Sequence, residues 1–210
     1  LDFSGLPRFT EFKPDHVTPA VTQLLAEART AMNRAAAADT PPLWDAFVAP
    51  FEDANERLAR AWGQVAHLHA VMDSPPLREV YNANLPNITQ YYTELGQNEV
   101  LFAKYQALRA ADAFERLSPA RRAIVEHALR DFRLGGAELA ADQKPRFAEI
   151  QDAAARHAAK FSENLLDATN AFSIVLEDAA RVAGIPPDVL AAAREAAQKD
   201  GKPGWKFTLH

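Results

Sequence analysis

Apolar positions recur at spacings of three and four along most of this chain, the pattern of helices that each turn one stripe inward. Val21, Leu24, Leu25, Ala28 and Met32 form the first stripe. Leu43, Trp44, Phe47, Val48 and Phe51 form the next, and Leu58, Trp62, Val65, Leu68 and Met72 continue it beyond Pro50. Proline removes a backbone hydrogen bond, so a helix pair or a kinked helix is expected there. Leu77, Val80, Tyr81, Leu85, Ile88, Tyr92 and Leu95 make a third run with a kink expected at Pro86, extended by Val100, Leu101, Tyr105 and Leu108. Ile124, Val125, Ala128, Leu129 and Phe132 mark a further helix that should end at Gly135-Gly136, where glycine can take a left-handed cap.

The last long run is the most regular: Phe147, Ile150, Ala154, Ala158, Phe161, Leu165, Ala168 and Phe172 step by 3, 4, 4, 3, 4, 3 and 4. Then the period changes. Phe172 to Glu177 reads as a strand, Pro187 to Gln198 as a short Ala-rich helix, and Trp205 to Leu209 as a second strand after a turn at Gly201 and Gly204. Two such strands pair most simply with each other. Pairs of Ser or Thr with Pro at Thr18-Pro19, Thr40-Pro41, Ser74-Pro75 and Ser118-Pro119 punctuate the runs, as expected where a hydroxyl caps a helix and proline fills its first turn. The predicted fold is mainly α: a bundle of long amphipathic antiparallel helices with a small two-stranded β element near the C-terminus. Residues 1–171 form the helical domain in this reading, and 172–210 a strand-helix-strand segment packed on it. No repeat of fixed length is present, which disfavours a solenoid.

Composition narrows the function classes. With 48% hydrophobic and 24% charged residues among 210, the chain is an ordinary globular one. A net charge of -5 without a basic face argues against nucleic acid. The chain has no cysteine, so it has neither disulfides nor thiolate metal ligands, which fits a reducing, cytoplasmic setting. There is no signal-like start or membrane-length apolar segment, and a start at Leu1 points to trimming or processing.

The candidate chemistry is sparse. A zincin helix needs His-Glu-x-x-His, and none of the six histidines supplies it. Glu126-His127 resembles the tail of an inverted motif, but Ala123 stands where the first histidine belongs. His67 and His69 are two apart, about 200° around a helix, and cannot share an ion. There is no G-x-S-x-G or S-x-x-K element, so nucleophile logic fails as well. Carboxylates at Glu52 with Asp53, Asp131 beside Arg133, and Glu163 with Asp167 read as solvated helix faces. Tyr81, Tyr91, Tyr92 and Tyr105 could line a peptide groove, but helical spacing favours packing. Asn164 and Asp167 flank the last stripe and are expected to tie the helix end to a neighbouring backbone. No catalytic, cofactor-binding or metal-binding residue is assigned.

One stretch is more specific. Phe161-Ser-Glu-Asn-Leu-Leu-Asp-Ala-Thr169 resembles the F-x-x-N-x-L-D-A-T segment of the thimet oligopeptidase and oligopeptidase A family of zinc metallopeptidases. Phe12 to Ala20, Trp44 with Pro50, His67-Leu68, Leu77-Arg-Glu79, Leu85-Pro86, Ala128 to Leu139 and Arg146 to Ile150 resemble other segments of it in the right order. The bacterial oligopeptidase A branch is the nearest fit. The resemblance implies a parent enzyme that hydrolyses short peptides with one zinc on an H-E-x-x-H helix, none of which falls in this chain. It also implies that these helices form one wall of a substrate channel and limit access to it, without activity of their own. The implied partners are the chain's own catalytic domain and short peptides, with a monomer expected and neither nucleic acid nor membrane. A stand-alone helical interaction module is the alternative. If the parent reading holds, the chain should expose an apolar patch where it meets the catalytic part, with Trp205, Phe207 and the C-terminal strand edge as the expected contacts.

Overall fold

In the computed structural model, which describes Phe3 and residues 5–209, the periodic runs become helices. The helices are α1 (Val17–Ala36), α2 (Ala49–Val71), α3 (Pro75–Gly96), α4 (Glu99–Ala110), α5 (Asp112–Glu115), α6 (Pro119–Leu134) and α7 (Lys144–Ala171). Strand β1 (Ser173–Leu176), helix α8 (Pro187–Lys199) and strand β2 (Trp205–Thr208) follow. The chain divides into two compact units, Leu1–His157 and Ala158–His210, so the division falls inside α7.

The first unit is a helical bundle in which α1 packs on α2 and α3, and α6 on α3 and α4. Its core takes one stripe from each of α1, α2, α3, α4 and α6. Val17, Val21, Leu24 and Ala28 come from α1, Phe51, Leu58 and Val65 from α2, Leu101, Tyr105 and Leu108 from α4, and Val125, Leu129 and Phe132 from α6. Several stripe members fall outside it. Met72 lies beyond the end of α2 and is exposed, as are Leu43 and Ile124, and on α3 the fully buried ring is Tyr91 rather than Tyr92.

Pro50 makes no helix pair. It sits in the first turn of α2, where its missing N–H would be unsatisfied anyway, and Trp44–Val48 feeds in as a π-helical turn. The third run is not continuous either. It breaks after Gly96, where Asn98 opens α4 by accepting from the Leu101 N–H at 3.0 Å. Pro86 lies within α3, which runs through it. Of the hydroxyl-proline pairs, Ser74 and Ser118 occupy helix N-caps, and the Ser118 hydroxyl accepts from Arg121 N–H at 3.4 Å. Thr18 and Thr40 do not. Helix α1 already starts at Val17, and buried Thr40 donates to the Arg34 carbonyl at 2.7 Å.

Helix α6 ends as the glycines require. Gly136 takes φ 93°, while the N–H groups of Ala137 and Gly136 reach back to the Phe132 and Arg133 carbonyls, a Schellman cap. Gly135 serves a different purpose. A Cβ there would lie 2.8 Å from Gly96 Cα, so the ends of α3 and α6 meet backbone to backbone.

In the second unit, β1 and β2 pair antiparallel with Ile174 opposite Phe207 and Leu176 opposite Trp205. Because side chains alternate, these four share one face and Val175 and Lys206 take the other. Helix α8 packs on β2, with the Arg194 guanidinium 5.0 Å above the Trp205 ring. Fold class and strand pairing are therefore those expected.

Candidate functional site

No described group of three or more His, Asp or Glu side chains could hold a metal ion. The two close histidines diverge as helix geometry demands. His67 is exposed beside the Phe9 ring at 5.5 Å, whereas His69 is buried against Tyr81, with rings 4.1 Å apart and 12° from parallel. Tyr81 in turn stacks on Trp62 at 4.8 Å, so three rings lie in series between α2 and α3. His69 Nε2 stands 4.0 Å from Asp73 Oδ1, and Asp73 Oδ2 accepts from Arg78 Nε at 2.7 Å. This cluster clasps the loop between the two helices.

Tyr91 and Tyr105, considered above for a groove, lie wholly inside. Each hydroxyl has a partner on α2: Tyr91 donates to Asn55 Oδ1 at 2.7 Å, and Tyr105 to Glu52 Oε1 at 2.8 Å. Asn55 donates onward to the Phe51 carbonyl at 2.9 Å. Burial pushes the Glu52 carboxyl above its ordinary range, with the Asp53 charge adding to the rise and the Tyr105 hydrogen bond opposing it. Both tyrosine hydroxyls are pushed up, chiefly by burial. These are polar fastenings of a core. Glu126 pairs with Arg109 and Asp131 with Arg130, so these two carboxylates form ion pairs on helix surfaces.

One polar cluster was invisible in the sequence because its members lie far apart along the chain. Lys104 Nζ donates to the carbonyls of Ala35, Ala37 and Thr40 at 2.7, 2.5 and 2.9 Å. It thereby closes the C-terminal end of α1 from α4, placing a cation at the negative end of the helix dipole. An open groove of about 630 Å³ lies between the N-terminal segment, α1 and α2. Phe12, Val17, Val21 and Val65 line it, and Arg60 holds its edge through 3.4 Å hydrogen bonds to the Phe3 and Gly5 carbonyls.

The unusual surface belongs to α7. Its regular stripe does not enter a core: Phe161 is 70% exposed, Leu165 58% and Phe172 46%. The one buried side chain of α7 is Glu163, at 5% exposure and 3.7 Å from Lys160 Nζ. Asn164 and Asp167, expected as anchors, are exposed, and Glu163 takes the covered position. Trp205 and Phe207 are half-buried within the second unit, whereas Leu209 just past β2 is exposed, as are the α7 stripe and Ile174 of β1.

The described residues thus form a helical bundle whose buried tyrosines and Lys104 fasten one helix to another, with an apolar stripe exposed on α7. Comparison with known proteins names it. Residues 21–144, more than half of the chain, match the family profile of the neurolysin/thimet oligopeptidase N-terminal domain, and the chain belongs to that family. It is 37% identical over 210 residues to oligopeptidase A of Haemophilus influenzae, and 36% identical over 204 residues to that of Escherichia coli. A dipeptidyl carboxypeptidase of Salmonella typhimurium is more distant, at 24% over 195 residues. The match takes in 100% of this chain but 30% of the Haemophilus protein, so the chain spans about a third of the length of the relatives it resembles. Among the described residues no helix is long and apolar enough to cross a membrane.

Proposed function

We propose that this chain is the N-terminal helical domain of a zinc-dependent, cytoplasmic oligopeptidase that degrades short peptides. In this reading the helices form one wall of the substrate channel and restrict access to it, and the chain alone does not cleave peptides. The observation that carries it is the 37% identity to an oligopeptidase A over the whole chain, combined with coverage of only 30% of that relative. The described residues do not fit a zinc site, so no step of hydrolysis is assigned to them. Zinc would be held by residues outside this chain, and its chemistry there would be activation of water. The mixed surface charge and the amphipathic helices support a steric role.

The test compares the 210-residue chain with the full-length protein on a quenched short peptide and on a long unstructured one. The expected result is turnover of the short peptide by the full-length protein, abolished by a zinc chelator, with none from the chain. Full-length protein that is inactive with zinc present, or chelator-sensitive turnover by the chain, overturns the proposal. Equal turnover of long and short substrates overturns the channel-wall role alone.

A further inference from the structure

Helix α7 inverts the usual rule for amphipathic helices. Glu163 lies about 200° around the helix from both Phe161 and Leu165. The covered side of this segment is therefore the one bearing a carboxylate, and the uncovered side the one bearing the apolar stripe. The stripe continues without a polar interruption through Ala158, Phe161, Leu165, Ala168 and Phe172, a length of about 21 Å at 1.5 Å per residue. Ile174 of β1 is exposed just beyond it. Soluble chains expose single apolar side chains routinely, but a continuous row marks a contact surface. The rest of the second unit cannot cover it, since its buried apolar residues are only Val182, Ala193 and Ala197 among those described.

We infer that the face running from Ala158 on α7 to Phe172 just past its end is the docking surface for the polypeptide that follows residue 210 in the full-length protein. The inference rests on the reading of the chain as part of a longer peptidase. Two observations choose this occupant over a second copy. The relatives carry roughly two thirds of their length outside the matched region, which leaves ample chain to supply the cover. The exposed part of the four apolar side chains Phe161, Leu165, Phe172 and Ile174 amounts to an area on the order of 400 Å², at most about the apolar share of the roughly 800 Å² per partner that a stable association between separate proteins buries. A tethered segment loses no translational freedom on docking and can use so small a face.

Hydrogen exchange followed by mass spectrometry reads the cover directly. Peptides from residues 158–172 should exchange at least about tenfold more slowly in the full-length protein than in the 210-residue chain. The double substitution Phe161→Asp with Leu165→Asp should abolish that protection and lower the melting temperature of the full-length protein. In the 210-residue chain the same pair should leave the melting temperature nearly unchanged, because both side chains already face water. Equal exchange in the two proteins overturns the inference, as does a full-length double variant that melts like the parent. Protection in the 210-residue chain that grows with concentration alongside a dimeric mass overturns the choice of occupant. Exchange is blind to turnover, so a full-length protein that cleaves nothing yet protects 158–172 sinks the proposed peptidase role and leaves this inference standing.

Discussion

Replacing Lys104 by methionine removes a cation on which three backbone carbonyls converge while keeping most of the side-chain volume. The ammonium group has three donors, and the carbonyls of Ala35, Ala37 and Thr40 use all of them. The Ala37 carbonyl has a second partner in the Thr40 N–H at 3.1 Å, so its loss is partly covered. The other two sit on residues with almost no exposure. A buried acceptor left without a donor costs about 1–3 kcal/mol. Two such acceptors, together with the lost favourable charge at the end of α1, amount to about 3–5 kcal/mol. That is a large share of the roughly 5–15 kcal/mol that holds a domain folded. For a chain of this size the melting temperature should fall by about 10 °C, followed by circular dichroism at 222 nm. Lys104→Arg keeps the charge, but its planar fork cannot aim three donors at one point, so it should recover only part of the loss. A methionine variant melting within about 2 °C of the parent would refute the reasoning, because surface attraction alone would then account for the contact.

Glu52→Gln should raise the urea midpoint at neutral pH. Burial lifts the folded carboxyl above its ordinary value of 4.5, so the folded state holds a proton that the unfolded state has released between those two points. Stability from this group is therefore complete below 4.5 and lost as pH rises through the folded value; the glutamine advantage should vanish in acid, and an advantage equal at both ends of the range counts against the assignment. Gly135→Ala should destabilise by about 1–3 kcal/mol, because its Cβ meets the Gly96 backbone and one helix end must shift; an unchanged denaturation midpoint would show that the crossing has slack. Tyr91→Phe should cost about 1–2 kcal/mol by leaving Asn55 Oδ1 without its donor, read from the same curves.

The helices were legible because burial imposes a period, and Val21 to Met32 on α1 shows it plainly. Breaks were legible where glycine forces them, as at Gly136, and less so where a side chain makes them, as with Asn98 opening α4 inside an apparently continuous stripe. Tyr91 and Tyr92 could not be ordered by pattern, since either lies within a turn of the stripe and only the neighbouring helix decides which enters. Lys104 and its carbonyls are 64 to 69 positions apart, and no local signal joins them. The α7 stripe carries a different lesson. Its periodicity marks an apolar face, but periodicity says only that a face is to be covered. It does not say that the cover comes from the same 210 residues.

The ring placements carry a practical consequence. The chain's three tryptophans stand at Trp44, Trp62 and Trp205. Trp62 is stacked on Tyr81, Trp44 lies beneath the Arg121 guanidinium at 4.9 Å, and Trp205 lies beneath Arg194 in the second unit. Trp205 is thus the sole indole beyond residue 157. In a variant with phenylalanine at positions 44 and 62, its emission would come from the strand-helix-strand segment alone, an intrinsic optical label for that unit's melting that needs no dye.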